Sequence, residues 1–284
     1  MQKLKMKALA TMLAAFALTT TACASGAPAS STTAPVGTSS ASAAPAFTLV
    51  QAGTLTACSD VPYPPFEIED ASSPSGYSGF DIELMGAVAK KLGLNFKVID
   101  VEFNALQSGT VLIAGQCDMG ASAMTITEER KKNIDFSDPY YDSLQSLLVR
   151  ADSGITNLAG TAGKKIGVQA GTTGKSYTEK SKPATATVVE FPSDGDLWPA
   201  IQAKQIDVIL QDLPVNRTHE KADPAFKIVE TYKTDEQYGF ALAKDKNPAL
   251  LAAINAQLKA LRADGSYDAL YKNCLLYTSP SPRD

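Results

Sequence analysis

The chain has 284 residues, 44% hydrophobic and 20% charged, with 26 Lys plus Arg against 30 Asp plus Glu for a formal net charge of −4. At roughly 100–200 residues per domain this is one large domain or two smaller ones, and the apolar content excludes wholesale disorder. A mildly acidic chain with no dense basic cluster excludes nucleic acid as a partner, since phosphate attraction supplies most of that affinity. The single histidine, His219, leaves little to build a metal cage or a His-based triad, so neither a metal nor a cofactor is expected.

Lys3, Lys5 and Lys7 precede an apolar run from Ala8 to Leu18, and the run ends in Thr20-Thr21-Ala22-Cys23. A charged start, a short apolar stretch and small residues describe an export signal over 1–22. A spanning helix would need about 20 apolar residues. Small residues before Cys23 resemble the bacterial lipobox, although Thr20 stands where Leu is usual. Cys23 is then the acylated mature N-terminus, anchoring the exported protein to the extracytoplasmic face of the cell membrane. The alternative is a soluble periplasmic or secreted product cleaved after Ala22 or Ala24. Residues 23–46 are nearly all Ala, Ser, Thr, Pro and Gly after the cysteine. They cannot bury enough apolar surface to offset their ordering entropy, and as a disordered tether they span about 25 Å.

From Leu49 short apolar runs alternate with amphipathic stretches. Thr54–Cys58 reads as a strand, and Phe80–Leu92 as a helix with Ile82, Met85, Val88, Ala89 and Leu92 at helical spacing. Strands are expected at Asn95–Val101, Asp118–Met124, Gln145–Arg150 and Lys165–Gln169. The last enters the turn Gly171-Thr172-Thr173-Gly174 and a helix to about Lys180. A strand at Thr187–Phe191, a helix over Leu197–Lys204 and a strand at Ile206–Leu210 repeat the scheme. Tyr238–Lys244 is a further strand, and Pro248–Asp264 a helix with Leu251, Ile254, Leu258 and Leu261 on one face. Such alternation predicts an α/β fold with mainly parallel sheets covered on both faces. The end, 274–284, reads as a sequencing adaptor translated past the end of a fragment and is set aside. Cys58 and Cys117 remain, in an oxidising compartment, either as a disulfide or as two buried thiols.

Seven motifs follow in order: Tyr63-Pro64-Pro65-Phe66-Glu67, Gly79-Phe80-Asp81-Ile82-Glu83-Leu84, Met124-Thr125-Ile126-Thr127-Glu128-Glu129-Arg130, Asp135-Phe136-Ser137-Asp138-Pro139-Tyr140-Tyr141, Gly167-Val168-Gln169-Ala170-Gly171-Thr172-Thr173-Gly174, Asp207-Val208-Ile209-Leu210-Gln211-Asp212 and Asp264-Gly265-Ser266-Tyr267-Asp268. Together they resemble the solute-binding proteins of polar amino-acid ABC importers, family 3, of the glutamine/histidine/cystine-binding type, from about Leu49 to Asn273. The resemblance implies a two-lobed periplasmic-binding-protein-like fold (type II) joined by a two-strand hinge. Lobe one is then 47–141 plus 240–273 and lobe two 145–236. The implied function is a monomeric extracytoplasmic receptor that holds an L-amino acid between the lobes and delivers it to an ABC permease.

A free amino acid carries a carboxylate and an ammonium on one carbon, so its receptor needs donors beside an acceptor. Arg130 offers a planar fork for the carboxylate, and the helix opened by Gly171-Thr172-Thr173 offers N–H groups at its positive end. By resemblance, the N–H groups of Thr125 and Thr173 join Arg130, while Asp212, the Ala123 carbonyl and the Thr125 hydroxyl meet the ammonium. Tyr63, Phe66 and Phe103 would flank the ligand side chain. Asp60, Gln169 and Gln211 would select it, the acid at Asp60 favouring polar or cationic ligands.

Three rival readings are open. Gly174-Lys175-Ser176 matches the end of a phosphate-binding loop, but the position of its first Gly holds Gln169. A dehydratase-like lyase on the same fold would need a further acid–base group, and His219 is expected on a helix surface instead. A ligand-sensing module would have to signal through a partner receptor.

Overall fold

The computed structural model describes residues 47–276. The export signal at 1–22, Cys23, the 23–46 tether and most of the 274–284 tail therefore lie outside the described residues. Phe47 and Leu49 pack on the core of the first lobe, and the chain enters β1 (Thr54–Ser59), buried throughout. The short hairpin of β2 (Ile68–Glu69) and β3 (Tyr77–Ser78) leads to α1 (Phe80–Lys91). Gly79 opens this helix at φ 111°, where a Cβ would stand 2.3 Å from the Phe66 carbonyl oxygen. Glycine is what lets α1 begin against the 63–67 loop. The helix buries Ile82, Met85, Val88 and Ala89, the stripe its periodicity predicts.

Next come β4 (Asn95–Asp100), the short helices α2 (Phe103–Gln107) and α3 (Thr110–Ile113), β5 (Met119–Gly120) and β6 (Ile134–Phe136). β7 (Tyr141–Arg150) carries the chain into a second sheet. There β8 (Lys165–Gln169), α4 (Thr173–Ser181), β9 (Thr187–Phe191), α5 (Asp194–Gln202), β10 (Val208–Asp212) and α6 (Leu213–Ala222) alternate before β11 (Phe226–Tyr238). β12 (Ala241–Ala243) returns to the first sheet, and α7 (Pro248–Ala263) and α8 (Ser266–Tyr271) complete its helical layer.

The first sheet has the order β4-β1-β5-β12-β6 and the second β11-β7-β10-β8-β9. One strand opposes the rest in each sheet, β12 in the first and β7 in the second. Sheets of this kind need cover on both faces, and the second sheet shows it. Leu147, Val149, Ile166, Val168, Val208 and Leu210 form one core, while Leu148 and Ile209 face Leu197 and Ile201 in another. β7 and β11 pair from Tyr141↔Tyr238 outward, so both crossings between the sheets lie side by side.

The short elements β2, β3, α2, α3, β6 and α8 were not expected, and three longer segments also differ. The strand expected over Asp118–Met124 shrinks to Met119–Gly120. The Asp118 carboxylate instead accepts the N–H groups of Val50 (2.6 Å) and Thr56 (2.8 Å), and beyond Gly120 the chain leaves the ladder, with Ala123 at φ 41°. The strand expected over Tyr238–Lys244 is divided between β11 and β12. Phe226–Tyr238, too charged to show a strand pattern, is 13 residues of strand because it pairs along β7.

Cys58 and Cys117 are joined by a disulfide, with 5.7 Å between their Cα atoms. It ties the end of β1 to the approach to β5, two segments that lead into the cavity described below. Its 59-residue separation corresponds to about 4 kcal/mol of loop-closure entropy removed from the unfolded chain. Replacing both cysteines with alanine should lower the melting midpoint by about 10 °C, read by differential scanning calorimetry. An unchanged midpoint would show that the link does not constrain folding.

Candidate functional site

A nearly closed cavity of about 10 Å³ lies between the two sheets, about the room one water molecule needs. Asp60, Tyr63, Phe103, Ser122, Ala123, Thr125 and Arg130 line it from the first lobe, and Gln169, Thr172, Thr173 and Asp212 from the second. Nearly every lining residue follows the end of a strand or opens a helix. Asp60 follows β1, Ser122 to Thr125 follow β5, Gln169 ends β8 and Asp212 ends β10. Ligands in open α/β sheets gather at these carboxyl ends.

Arg130 begins a 3₁₀ turn, Arg130–Lys132, and is buried. Its Nη1 donates to the Thr125 carbonyl (2.7 Å) and its Nη2 to the Gly171 carbonyl (3.0 Å), so the guanidinium spans both lobes. Gly171 has φ 76°, and a Cβ there would come within 2.9 Å of Asn104 Oδ1. Phe103 lies under the guanidinium, 5.2 Å from Cζ to the ring centroid, a favourable cation–π placement. Burial lowers the Arg130 pKa to about 10, with the charges of Glu236 and Asp212 opposing that shift. It stays cationic at neutral pH.

Opposite it, Asp212 accepts from Gln145 Nε2 on one oxygen and from the Tyr238 hydroxyl on the other. Tyr63 faces the same cavity from the first lobe. Burial, and then the Glu236 charge, raise the Asp212 pKa to about 7. Asp60 bonds Gln169 Nε2 from the other lobe, and burial raises its pKa to about 7 as well. Thr172 caps α4, its Oγ1 accepting Lys175 N–H at 3.1 Å, and Thr173 is the first helical residue. The first-turn N–H groups of a helix have no intrahelical acceptor; Thr172 takes that of Lys175, and Thr172 and Thr173 line the cavity. Ala123 is held in its left-handed conformation by its N–H, which donates to Asp81 Oδ2 at 2.8 Å.

Three residues sit elsewhere than expected. Phe66 does not line the cavity: it is fully buried among Phe80, Tyr141 and Tyr238, behind Tyr63. Gln211 also faces away, because strand alternation turns it opposite to Asp212. Its Nε2 donates to Asp194 (2.9 Å) and Asn216 (3.1 Å) within lobe two. His219, expected on the surface, is buried, stacked on Trp198 at 4.1 Å and bonded to Asp194 at 2.9 Å. Sequence reasoning missed Ser122, Gln145, Tyr238 and Glu236. Glu236 and Tyr238 share the inward face of β11, so an acid two residues before a buried aromatic was the available signal. Among the described residues no group of His, Cys, Asp and Glu is arranged to hold a metal ion.

Two α/β lobes linked by paired crossing strands around a charged cavity define a binding protein of the periplasmic type. The chain belongs to the bacterial extracellular solute-binding proteins, family 3, whose family model matches residues 55–276. It is 34% identical over 197 residues to the ABC transporter glutamine-binding protein GlnH of Bacillus subtilis, covering 68% of this chain and 71% of that one. It is 33% identical over 212 residues to the arginine-binding extracellular protein ArtP of the same species, covering 74% and 81%. An ancestral arginine-binding protein bound to glutamine superposes with a TM-score of 0.72 at 34% identity, covering 79% of this chain and 98% of that one.

The buried acids set a pH dependence. Asp60 and Asp212 near 7, and Asp81 raised by burial to about 6, all hold protons in the folded state that an unfolded carboxyl near 3.9 has lost. The folded protein therefore binds more protons than the unfolded one across that interval, and its stability falls as pH rises through it. The ligand-free melting midpoint should decline as pH rises from about 5 through 7. Asp212→Asn should flatten the decline. A midpoint that rises over this interval would contradict the assignment.

Proposed function

We propose that this chain captures a free L-amino acid with a polar or cationic side chain between its lobes and delivers it to an ABC import permease. The observation that carries the reading is that a buried guanidinium, Arg130, and a buried carboxyl group, Asp212, line one cavity from opposite lobes. Arg130 has five N–H donors, and those beyond its two carbonyl bonds serve the ligand carboxylate with the N–H groups of Thr125 and Thr173. Asp212, the Ala123 carbonyl and the Thr125 hydroxyl take the ammonium. Tyr63 and Phe103 flank the side chain, and Asp60 with Gln169 and Thr172 meets its polar end. The names of the relatives, glutamine-binding and arginine-binding, support a ligand of this kind and reversible binding without chemistry.

Lobe one is 47–141 with 240–273, and lobe two 145–236. The chain works as a monomer, exported and held at the membrane through an acylated Cys23, and the extracellular character of the family supports that placement. Labelling of producing cells with radioactive palmitate should mark the wild type and not Cys23→Ala. Equal labelling would place the anchor elsewhere, and no labelling of either would favour plain secretion.

A thermal-shift panel of the common L-amino acids tests the ligand class, since a ligand that binds only the folded state raises its melting point. At least one polar or cationic amino acid should raise it. Arg130→Ala and Asp212→Ala should each weaken that ligand at least about tenfold, the scale of one charge-assisted hydrogen bond, measured by titration calorimetry. A flat panel, or unchanged affinity in both variants, would remove the reading.

A further inference from the structure

Glu236 does not line the cavity, yet its carboxylate holds two residues that do. Thr125 of lobe one donates its hydroxyl to Glu236 Oε2 at 2.7 Å, and Thr173 of lobe two donates to the same atom at 2.8 Å. Oε1 accepts Gln145 Nε2 at 3.1 Å, and the same nitrogen bonds Asp212. The backbone is bent to achieve this. The pairing of β11 with β7 is interrupted between Tyr232 and Glu236, and Asp235 adopts φ 51° immediately before the turned-in carboxylate. Bulges re-aim side chains, and backbone strain of this kind persists where the surrounding structure requires it.

A threonine hydroxyl has one proton and two lone pairs. With both protons committed to Glu236, Thr125 and Thr173 can offer a ligand only acceptors. A neutral amide at 236 could accept the two hydroxyls with its oxygen, but its NH2 would then face the Gln145 NH2, whose protons serve Asp212.

We propose that Glu236 is a positioning residue that fixes the Thr125 and Thr173 hydroxyls as acceptors toward the cavity, and so makes the site demand an ammonium group on its ligand. The proposal rests on the amino-acid reading. The carboxylate is then left to Arg130 and backbone N–H groups, and the two ends of the ligand cannot exchange places.

Calorimetric titration tests this with L-arginine and L-glutamine and their counterparts lacking the α-amino group, 5-guanidinopentanoate and 4-carbamoylbutanoate. The wild type should prefer the amino acid that binds over its desamino counterpart. In Glu236→Gln that preference should fall about 10- to 100-fold, the scale of one or two lost charge-assisted bonds, with the desamino affinity little changed. Equal weakening of both compounds would mean a merely structural role, and no change in either would mean none; each overturns the proposal while the amino-acid reading stands. A wild type that binds neither amino acid overturns both. Near-UV circular dichroism checks that the variant folds. Should it not, Thr125→Val, which keeps Glu236 and removes one hydroxyl, must lose part of the same preference, and an undiminished preference overturns the assignment.

Discussion

A guanidinium shut away from water must be compensated, and the site is organised around that requirement. Burying a charge costs several kcal/mol unless it is paired and hydrogen-bonded. Among the described residues Arg130 makes no ion pair within 4.0 Å. Its contacts are two backbone carbonyls and the face of Phe103. Partial charges of that kind hold the cation without neutralising it, and the carboxylates of Glu236 and Asp212 act on it only at longer range. The remaining field favours an anion placed at the guanidinium, which is the condition for gripping a carboxylate rather than a neutral group.

The acids face the mirror problem and solve it by sharing donors. Asp212, Glu236 and Asp60 are all buried, and burial pushes Asp60 and Asp212 toward protonation, helped at Asp212 by the charge of Glu236. Gln145 relieves two of them with one amide, and Gln169 serves the third from across the cleft. A second layer lies beneath. Asp81 takes the Ala123 N–H and the Tyr140 hydroxyl, and burial raises the neighbouring Glu67 well above the usual carboxyl range. An arriving ammonium would lower the cost of ionising Asp212, so ligand charge and site protonation are linked quantities.

The parts of this site visible in the sequence were those carried by local signals. Arg130 follows an acidic, Thr-rich turn, Thr172 and Thr173 open a helix, and Asp212 ends an apolar run before Leu213-Pro214. On its own each has a commoner structural role, Arg130 in a surface salt bridge and Asp212 as a turn or helix cap, and it is the ordered motifs around them that point to a site. Phe66 was misjudged because two aromatics three residues apart in a Pro-rich loop do not reveal which one faces the cavity, and the close approach of Gly79 to the Phe66 backbone helps fix it inward. Gln211 was misjudged because an adjacent pair on a strand points to opposite faces, and only one of the two could join the site. Glu236 and the strand containing it escaped because β11 gains its structure from pairing with β7, a contact at long sequence separation. The pattern along Phe226–Tyr238 is dominated by exposed charges, and strand propensity of this kind is decided by neighbours rather than by the segment itself.

The contacts that enclose the cavity also join the lobes. Arg130 to Gly171, Asp60 to Gln169, and Thr125 with Thr173 through Glu236 all run between the first lobe, or the crossing strands, and the second. Separating the lobes would break these bonds together and return several buried charges to water. A ligand shifts such an equilibrium only by its difference in affinity for the two arrangements. On the proposed reading, an amino acid held at its carboxylate by Arg130 and at its ammonium by Asp212 would make both contacts only with the lobes together. Recognition and closure would then be one event: the geometry that reads the two charges of the ligand would be assembled by the same movement that excludes water from them, and a ligand lacking either charge would leave a buried partner unsatisfied on one side of the hinge.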